Sequence, residues 1–430
     1  MEKWTVTLEQ HTPLIHFQYD QEGACLRASE VKPRLDKFII NDGSFDDWKQ
    51  YLIGYLHVSD KQMTVENKSE KEIKKIKTYC EKREATLRKK FESEGFRGLD
   101  YKLTILPTSK TAHYYEANDL NMYFGNQGDS NSNLKKGILY DGDIILQFTS
   151  KHEQLILFIK EKLAGFLSQT NFGCRQTKGY GSFFLKKLPN DTSDNIPQNA
   201  DYSFIIPTGD LGAMIKQLSD FYSVLRAGIN NNLYIKSALY KYLAEKNIQW
   251  DKKTIKQKFY TKEEKDKQKD KHPKEAIVDF KNNTGREHIY KELLGLSTNE
   301  TWKKISKDME NKHSLQREHV CEDSSKKITR FKSPILFKPI KINEKSYKIY
   351  IYLSEIPQEM KGQQFKIIWD KRKEDSLTLE TDKEFSIIAY FKWVFKQKNE
   401  LINSLVSEGK GTDRFEEIRK CFAGLQQIKK

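Results

Sequence analysis

The stretch that decides the fold covers residues 151–188 and reads KHEQLILFIKEKLAGFLSQTNFGCRQTKGYGSFFLKKL. Apolar residues recur at helical spacing in its first half, which predicts a helix over 151–169 with one apolar face. These residues are Leu155, Phe158, Ile159, Leu163 and Phe166. Three glycines, an arginine and a lysine follow within nine residues, and FFLKKL at 183–188 then predicts a strand. The chain therefore concentrates backbone freedom and positive charge in one turn between a helix and a strand.

Further strands and helices flank this stretch on its N-terminal side. Alternating apolar and polar side chains predict strands at 3–17, 101–108 and 137–149. The segment 69–93 carries charges of both signs and predicts an exposed helix. Together with the helix and the strand of 151–188, the order is strand, helix, strand, strand, helix, strand. This order is typical of a ferredoxin-like domain.

The second half of the chain begins after a segment with little to bury. PNDTSDNIPQNAD at 189–201 is rich in Pro, Asn, Asp and Ser, and it predicts a linker. Beyond it we expect strands at 202–207, 333–340 and 347–357 and helices at 210–225 and 384–401. Residues from about 251 to 329 are strongly polar and predict a charged, mostly helical or partly disordered insertion. The predicted fold is α+β, with two ferredoxin-like (RRM-like) domains over 1–195 and 200–430.

Composition limits the class of partner. The 430 residues include 37% hydrophobic residues, 24 Phe and 21 Tyr, which is enough for real cores. A formal net charge of +15 favours a polyanionic partner, either nucleic acid or an acidic membrane surface. We find no run of about 20 apolar residues that could span a bilayer. The start, MEKWTVTLEQ, lacks the apolar segment of a secretory signal, so we expect a cytoplasmic protein.

The cysteines and histidines form no recognisable metal-binding pattern. The five cysteines are Cys25, Cys80, Cys174, Cys321 and Cys421, and none belongs to a CxxC pair. The nine histidines show neither HxH nor HExxH spacing. The sequence therefore predicts no disulfide framework, no metal site and no cofactor.

The glycine-rich loop at 173–181 allows two interpretations. In nucleotide-binding loops the glycines precede a helix, whereas here the helix comes first, so a phosphate pocket at a helix N-terminus is not expected. Gly173, Gly179 and Gly181 permit positive φ angles and the close approach of an extended ligand backbone. Arg175 and Lys178 would supply charge to such a ligand. Tyr180 could stack on a base. The other interpretation is a glycine at a helix C-terminus followed by an ordinary surface loop.

GCRQTKGYGSF resembles the glycine-rich loop of the RAMP superfamily, the repeat-associated proteins of type III CRISPR effector complexes. LRASEVKPRLDKFI at 26–39 is similar to the early motif of that superfamily, and RFKSPILFKPI at 330–340 is similar to a segment of its large subunits. LRAGIN at 225–230 and YIKSALYKYL at 234–243 resemble such proteins as well. The resemblance is strongest to the large subunit that caps the 3′ end of CRISPR RNA in the Cmr complex.

The resemblance implies a set of RNA-binding residues. From the early motif and the loop these are Arg27, Lys32, Arg34, Gly173, Arg175, Lys178, Gly179 and Gly181, and Arg226, Lys236 and Arg330 follow from the later motifs. Cys174 departs from the family pattern, which has a small residue or glycine there. The charged insertion has no counterpart in that pattern. Surface ion pairs remain an alternative for Arg27 and Arg34, and so does a solvated helix position for Lys236.

Three functions remain open. The resemblance implies a non-catalytic RNA-binding subunit of a ribonucleoprotein for antiviral defence, which contacts CRISPR RNA, a target RNA and other RAMP subunits. The second is a metal-independent endoribonuclease that processes CRISPR precursor RNA, with His16 or His113 as general base. A subunit that cleaves target RNA would instead use a loop aspartate, such as Asp129, Asp141 or Asp143. The third is a generic basic protein that binds nucleic acid through charged helices.

Overall fold

A computed structural model describes residues 1–16, 25–44, 48–53, 69–94, 98–116, 120, 137–186, 196–230, 233–249, 254–255, 258–259, 288–296, 302–303, 314–323, 326–369 and 372–428. The chain divides into two compact units. The first consists of Met1–Tyr114, Gly137–Cys174 and Gly181–Gln198, and the second of Tyr115–Lys136, Arg175–Tyr180 and Asn199–Lys430. The division into domains 1–195 and 200–430 stays a prediction, because most of the expected linker lies outside the described residues.

The first unit is built around an antiparallel sheet of four strands. In chain order its elements are β1 (Glu2–Gln10), β2 (Leu14–Ile15), α1 (Ala28–Asn41), a 3-10 helix (Trp48–Tyr51), α2 (Glu70–Glu94), β3 (Lys102–Pro107), β4 (Ala112–Tyr115), β5 (Gly137–Tyr140), β6 (Ile144–Ser150), α3 (Glu153–Ser168) and β7 (Phe183–Leu185). The four-stranded sheet has the order β3-β6-β1-β7, and all its neighbours are antiparallel. A smaller sheet has the order β2-β5-β4. The helices predicted at 69–93 and 151–169 are confirmed.

Side-chain periodicity explains how this unit packs. Buried and partly buried residues alternate along β6, so one face of the sheet lies on the core. The rings of Trp4 and Phe148 stack with centroids 5.3 Å apart. Helix α3 buries four of the five residues that predicted its apolar face, Leu155, Ile159, Leu163 and Phe166. The apolar stripe of the quoted stretch is thus the face by which α3 joins the core.

The second unit contains the larger number of elements. In chain order they are β8 (Tyr202–Ile206), α4 (Leu211–Arg226), β9 (Ile229–Asn230), β10 (Tyr234–Ile235), α5 (Ala238–Glu245), β11 (His288–Ile289), a 3-10 helix (Lys291–Leu294), β12 (Trp302–Lys303), β13 (Ser314–His319), β14 (Ile335–Asn343), β15 (Ser346–Leu353), a 3-10 helix (Gln358–Met360), β16 (Gln364–Trp369), β17 (Arg372–Thr381), α6 (Ile387–Gln397), α7 (Leu401–Leu405), β18 (Val406–Glu408), α8 (Asp413–Ala423) and β19 (Gln426–Gln427). The strands form sheets of order β14-β15-β8-β19, β11-β17-β16-β13-β12 and β18-β10-β9.

The sheet β14-β15-β8-β19 is antiparallel and packs against helices α4 and α8. Asp210 caps α4 by accepting a hydrogen bond from the amide of Ala213 at 2.6 Å. Phe221 of α4 packs on Phe204 of β8 and on Phe422 of α8, with centroids 4.8 and 4.5 Å apart. The strands that the sequence predicts at 202–207, 333–340 and 347–357 are confirmed as β8, β14 and β15.

The four-stranded sheets of the two units share one strand order. When the strands of each sheet are numbered by their place in the chain, both sheets run 2-3-1-4. In the first unit α1 follows the first strand and α3 precedes the last, and in the second unit α4 and α8 take these places. The fold is therefore mixed α+β with several antiparallel sheets.

The polar segment 251–329 does not confirm a mostly helical insertion. Its described residues include β11, β12 and β13, which join β16 and β17 in the five-stranded sheet. A separate apolar cluster combines residues of this sheet with residues that pack on it. Its members are Ile255, Phe259, Ile289, Leu296, Phe365, Ile367 and Leu379. Few but well-placed apolar residues are enough for this core, because strands need only every second side chain to be apolar. In the described part of the chain, no helix is long and apolar enough to cross a membrane.

Candidate nucleic-acid interface

The glycines of the loop adopt the conformation that the sequence predicts. Gly173, Gly179 and Gly181 have φ angles of 73°, 85° and 66°. A Cβ atom on Gly173 would lie 2.5 Å from the carbonyl oxygen of Ile15, and one on Gly181 would lie 1.9 Å from that of Phe172. The chain itself fills the space beside these two glycines. Their first task is therefore to let backbone segments approach each other, which favours a structural role for these glycines.

Helix α1 holds the start of the loop within the first unit. The amide of Gly173 donates to Glu30 Oε1 at 2.8 Å, and Arg34 Nη1 donates to the carbonyl oxygen of Asn171 at 2.9 Å. The Arg34 guanidinium also lies 5.1 Å from the centroid of the Phe172 ring. Desolvation lowers the pKa of Arg34, and the nearby Glu30 opposes this effect. Arg34 thus positions the loop, whatever else it binds.

Lys32 and Arg27 take different places on the same helix. Lys32 Nζ lies 2.8 Å from both Asp36 Oδ2 and the carbonyl oxygen of Leu99, and 4.0 Å from the centroid of the Tyr101 ring. Burial raises the pKa of Asp36, and Lys32 opposes that shift. Arg27 stands at the N-terminus of α1 in an extended conformation. The ammonium group of Lys32 is therefore engaged inside the first unit.

Residues 175–180 belong to the second unit, and three of them line a small pocket there. The pocket residues are Arg175, Lys178, Tyr180, Ile215, Leu218, Ser219, Tyr222 and Phe337. Lys178 forms an isolated bridge with Phe337 of β14, and the amide of Phe337 donates to the carbonyl oxygen of Thr177 at 3.3 Å. Gly179 fits closely against Leu218, where a Cβ atom would come within 2.8 Å. The loop is thus fixed to both β14 and α4.

Three cationic side chains, Arg175, Lys178 and Arg226, determine the charge of this pocket. The guanidinium carbon of Arg175 lies 5.6 Å from the centroid of the Tyr180 ring, and Lys178 Nζ lies 5.4 Å from that of Tyr222. Desolvation, followed by the charges of Arg175 and Arg226, lowers the pKa of Lys178 to about 8. Lys178 as a whole residue is nevertheless exposed.

The pocket has positive charge without a neutralising carboxylate in its lining. None of the described lining residues is acidic, and within the described ranges the Lys178 ammonium forms no ion pair. Arg226 Nε and Nη2 donate to the carbonyl oxygens of Lys291 and Gly295 at 3.2 and 2.7 Å, which fixes its guanidinium. Such an arrangement attracts an anion. In nucleic acids the anionic groups are the phosphates, which arginine and lysine bind through charged hydrogen bonds.

Tyr180 does not occupy the place that base stacking requires. The residue is 2% exposed, and its hydroxyl donates to the carbonyl oxygen of Leu120 at 2.6 Å. Burial raises its pKa to about 12. The structure therefore favours a packing role for Tyr180. Tyr222 is the partly exposed tyrosine of the pocket, and its hydroxyl donates to the carbonyl oxygen of Leu294 at 2.7 Å.

Sequence reasoning missed Tyr222, Ser219 and Phe337. Tyr222 lies one helical turn before Arg226, so the LRAGIN motif pointed to the right end of α4. Lys236 lies just before α5, with Nζ 5.5 Å from the centroid of the Tyr240 ring, and Arg330 is exposed in the segment before β14. Neither Lys236 nor Arg330 lines the pocket.

The candidate general bases differ sharply in accessibility. His16 is 4% exposed, which leaves little surface for a substrate. The His113 side chain is 73% exposed, and its Nε2 lies 3.2 Å from Asp141 Oδ1. Asp143 pairs with Lys186 at 2.6 Å, and Asp129 lies outside the described residues. In the described ranges, no group of three or more His, Cys, Asp or Glu side chains could hold a metal ion.

The cysteines described by the structure are Cys25, Cys174, Cys321 and Cys421, and all four are free thiols. Cys174 is partly buried in the loop, where its amide donates to the carbonyl oxygen of Ile15 at 2.7 Å. Cys421 is buried in α8, and burial raises its pKa to about 12. The thiol of Cys421 is therefore protonated at neutral pH and acts as a small apolar group.

Comparison with known proteins identifies the family. Residues 1–229 match the model of the Cmr1 N-terminal domain, and residues 234–420 match that of the Cmr1 C-terminal domain. The crystal structure of Cmr1 from Pyrococcus furiosus in its apo form is similar, at 12% identity over 95% of this chain and 98% of that chain, with a TM-score of 0.34. No curated protein matches the sequence. Because the two family models together span most of the chain, it belongs to the Cmr1 family, the RAMP-superfamily subunits of the type III CRISPR effector known as the Cmr complex.

Proposed function

We propose that this chain is a non-catalytic, RNA-binding subunit of a cytoplasmic type III CRISPR ribonucleoprotein. It contacts CRISPR RNA in its 3′ region, it adjoins other RAMP subunits, and a target RNA paired with the guide is a further partner. One observation carries the proposal, namely the pocket that both Arg175 and Lys178 line, among whose described lining residues none is acidic. A phosphate would pair with the Lys178 ammonium group, and it would accept hydrogen bonds from both side chains.

The strand order supports the same proposal. We infer that both units are ferredoxin-like domains, because each four-stranded sheet runs 2-3-1-4 with two helices between its strands. Domains of this kind often bind single-stranded RNA in ribonucleoproteins. The loop that carries Arg175 and Lys178 precedes the last strand of the first sheet, β7.

The test removes the two charges without straining the backbone. Arg175 has a φ angle of 56°, a region that asparagine tolerates better than other side chains, so Arg175→Asn with Lys178→Gln is the suitable pair. We expect guide RNA to bind the double variant at least about tenfold more weakly, because each charged hydrogen bond contributes about 1.5–3 kcal/mol. Fluorescence anisotropy with labelled guide RNA measures the change.

A matched control removes the same amount of charge elsewhere in the second unit. Lys392 and Lys396 are exposed on α6, and Lys392→Gln with Lys396→Gln should change RNA affinity only slightly. If the double variant of the loop binds guide RNA as well as this control does, the pocket is not the phosphate site. If binding is lost instead when Lys265, Lys267, Lys269 and Lys271 are replaced by Gln, the generic charged-segment function is correct.

The endoribonuclease alternative rests on one contact. His113 is exposed beside Asp141, and a carboxylate that orients a histidine is a common feature of general bases. Incubation of CRISPR precursor RNA with the wild type and with His113→Ala decides between the functions. Cleavage by the wild type that the variant lacks would contradict the non-catalytic proposal, whereas intact precursor in both samples supports it.

A further inference from the structure

Helix α2 presents a second basic surface, on the first unit. The helix has 25 residues and is therefore about 37 Å long at 1.5 Å per residue. It begins with a capping box, in which Glu72 Oε2 accepts hydrogen bonds from the amide and the hydroxyl of Ser69 at 2.9 and 2.8 Å. Nearly every described side chain from residue 70 to residue 86 is exposed, and even Tyr79 is 51% exposed.

Lysines form a stripe along one side of α2. Lys71, Lys75 and Lys82 are separated by four and seven residues, so the helical rotation of about 100° per residue places them on the same side. These three lysines span about 16 Å along the axis. Together with Lys74, Thr78 and Tyr79 they line an open groove. The name lysine stripe refers here to Lys71, Lys75 and Lys82.

The lysine stripe has no internal neutralisation. No acidic side chain lines the groove in the part of α2 that the structure describes, and none of its lysines forms an ion pair there. Lys71 and Lys75 stand four residues apart with like charge, which disfavours the helix. Thr78 and Tyr79 precede Lys82 by four and three residues, and both are uncharged. Glu72 lies three residues before Lys75, but its Oε2 accepts hydrogen bonds from the amide and the hydroxyl of Ser69.

We propose that the lysine stripe binds the phosphate backbone of a single RNA strand. This surface is separate from the loop pocket, and it does not depend on the function assigned to that pocket. The positive charge of the stripe favours an anionic partner. RNA is favoured over an acidic protein surface because the exposed Tyr79 ring lies in the same groove and offers a stacking platform for a base. Repeated cations beside an aromatic ring are the usual composition of single-strand binding surfaces.

The test is a triple variant of the full chain, Lys71→Gln, Lys75→Gln and Lys82→Gln. Glutamine has nearly the helix propensity of lysine, so α2 should keep its structure, which circular dichroism can check. With labelled single-stranded RNA of mixed sequence, we expect affinity to fall about tenfold and the slope of log K against log salt to decrease by about 2. Tyr79→Ala should weaken binding further without changing that slope.

The control removes three exposed lysines of the same unit that lie outside the stripe. Lys3→Gln, Lys77→Gln and Lys160→Gln together give the same change in net charge. Equal affinity and equal salt slope for the two triple variants would overturn the proposal. It would also be overturned if the stripe variant bound RNA normally but no longer retained other Cmr subunits during purification, because the stripe would then be a protein interface.

Discussion

Lys178 shares its surroundings with two permanent cations, Arg175 and Arg226. Desolvation and these two charges lower the pKa of Lys178 to about 8. Tyr180, the nearest loop tyrosine, has a pKa raised to about 12 and stays neutral. Below pH 8 Lys178 is charged and attracts a phosphate, and above pH 8 the free protein loses that attraction. A bound phosphate favours the ammonium form, so RNA binding takes up a proton above pH 8.

We therefore predict that guide RNA affinity is constant at neutral pH and decreases as the pH rises above about 8. Lys178→Arg should keep the affinity and remove this pH dependence, because a guanidinium does not titrate in this range. Anisotropy titrations from about pH 6.5 to about pH 9 measure both effects. Lys392→Arg serves as the control and should retain the wild-type profile. A decrease of equal size in the Lys178→Arg variant would assign the titration to another group.

The roles of single residues in the loop were predictable to different degrees. The positive φ angles of Gly173, Gly179 and Gly181 follow from residue type, since glycine in such a cluster nearly always marks a turn or a close approach. The burial of Tyr180 was not predictable, because its hydroxyl bonds to the carbonyl of Leu120, 60 residues away in the chain. Residue type gives the conformation of a loop, but a distant partner decides which of its side chains reaches the ligand.

At the scale of elements, the strands that escaped prediction are the polar ones. β16 and β17 form a hairpin, and β13 pairs with β16, yet the sequence around them is dominated by charged residues. Arg317 lies inside β13, and a charged residue in the middle of a short segment predicts a solvated surface. Arg317 can be buried because it pairs with Glu292. The two residues lie 25 positions apart, so a local sequence pattern does not reveal the pair. Helix α3 was predictable from its apolar periodicity and helix α2 from its pattern of opposite charges, because each of these signals is contained within the helix itself.

We predict that Arg317 and Glu292 stabilise the five-stranded sheet only as a pair. Both side chains are 2% exposed, and the Arg317 guanidinium also lies 5.9 Å from the centroid of the Phe365 ring. Arg317→Met leaves the Glu292 carboxylate buried without a cation and should cost about 3–5 kcal/mol. Arg317→Met combined with Glu292→Gln should cost clearly less, because no charge then remains buried. Amide hydrogen exchange in β13 and β16 reports the local free energy of opening.

A double-mutant cycle for Arg317 and Glu292 can contradict this prediction. A coupling free energy close to zero, with the double variant as unstable as the sum of both single variants, would mean that the two side chains act independently. The exposed pair Lys341 and Glu344 is the comparison, since ion pairs on the surface contribute about 0–1 kcal/mol.

At the scale of the whole molecule, the net charge of +15 predicted a polyanionic partner but not where it binds. Many of the lysines and arginines are engaged within the protein, as Lys32, Arg34, Arg226 and Arg317 are. The cations that remain available to a ligand include Lys178 in the second unit and the lysine stripe in the first. A count of charges cannot separate these two groups, because the difference depends on contacts between distant segments.

Salt dependence measures how many of these cations meet phosphate. For single-stranded nucleic acid, the slope of log K against log salt changes by about 0.7 per neutralised phosphate. We predict a decrease in slope of about 1.4 for Arg175→Asn with Lys178→Gln and of about 2.1 for the triple variant of the lysine stripe. If one RNA strand occupies both surfaces, the variant with all five substitutions should show a decrease of about 3.5. A combined decrease no larger than that of the stripe variant alone would mean that one strand cannot occupy both surfaces at once. The five-lysine control, with Lys3, Lys77, Lys160, Lys392 and Lys396 replaced by Gln, removes the same number of charges and should leave the slope close to that of the wild type.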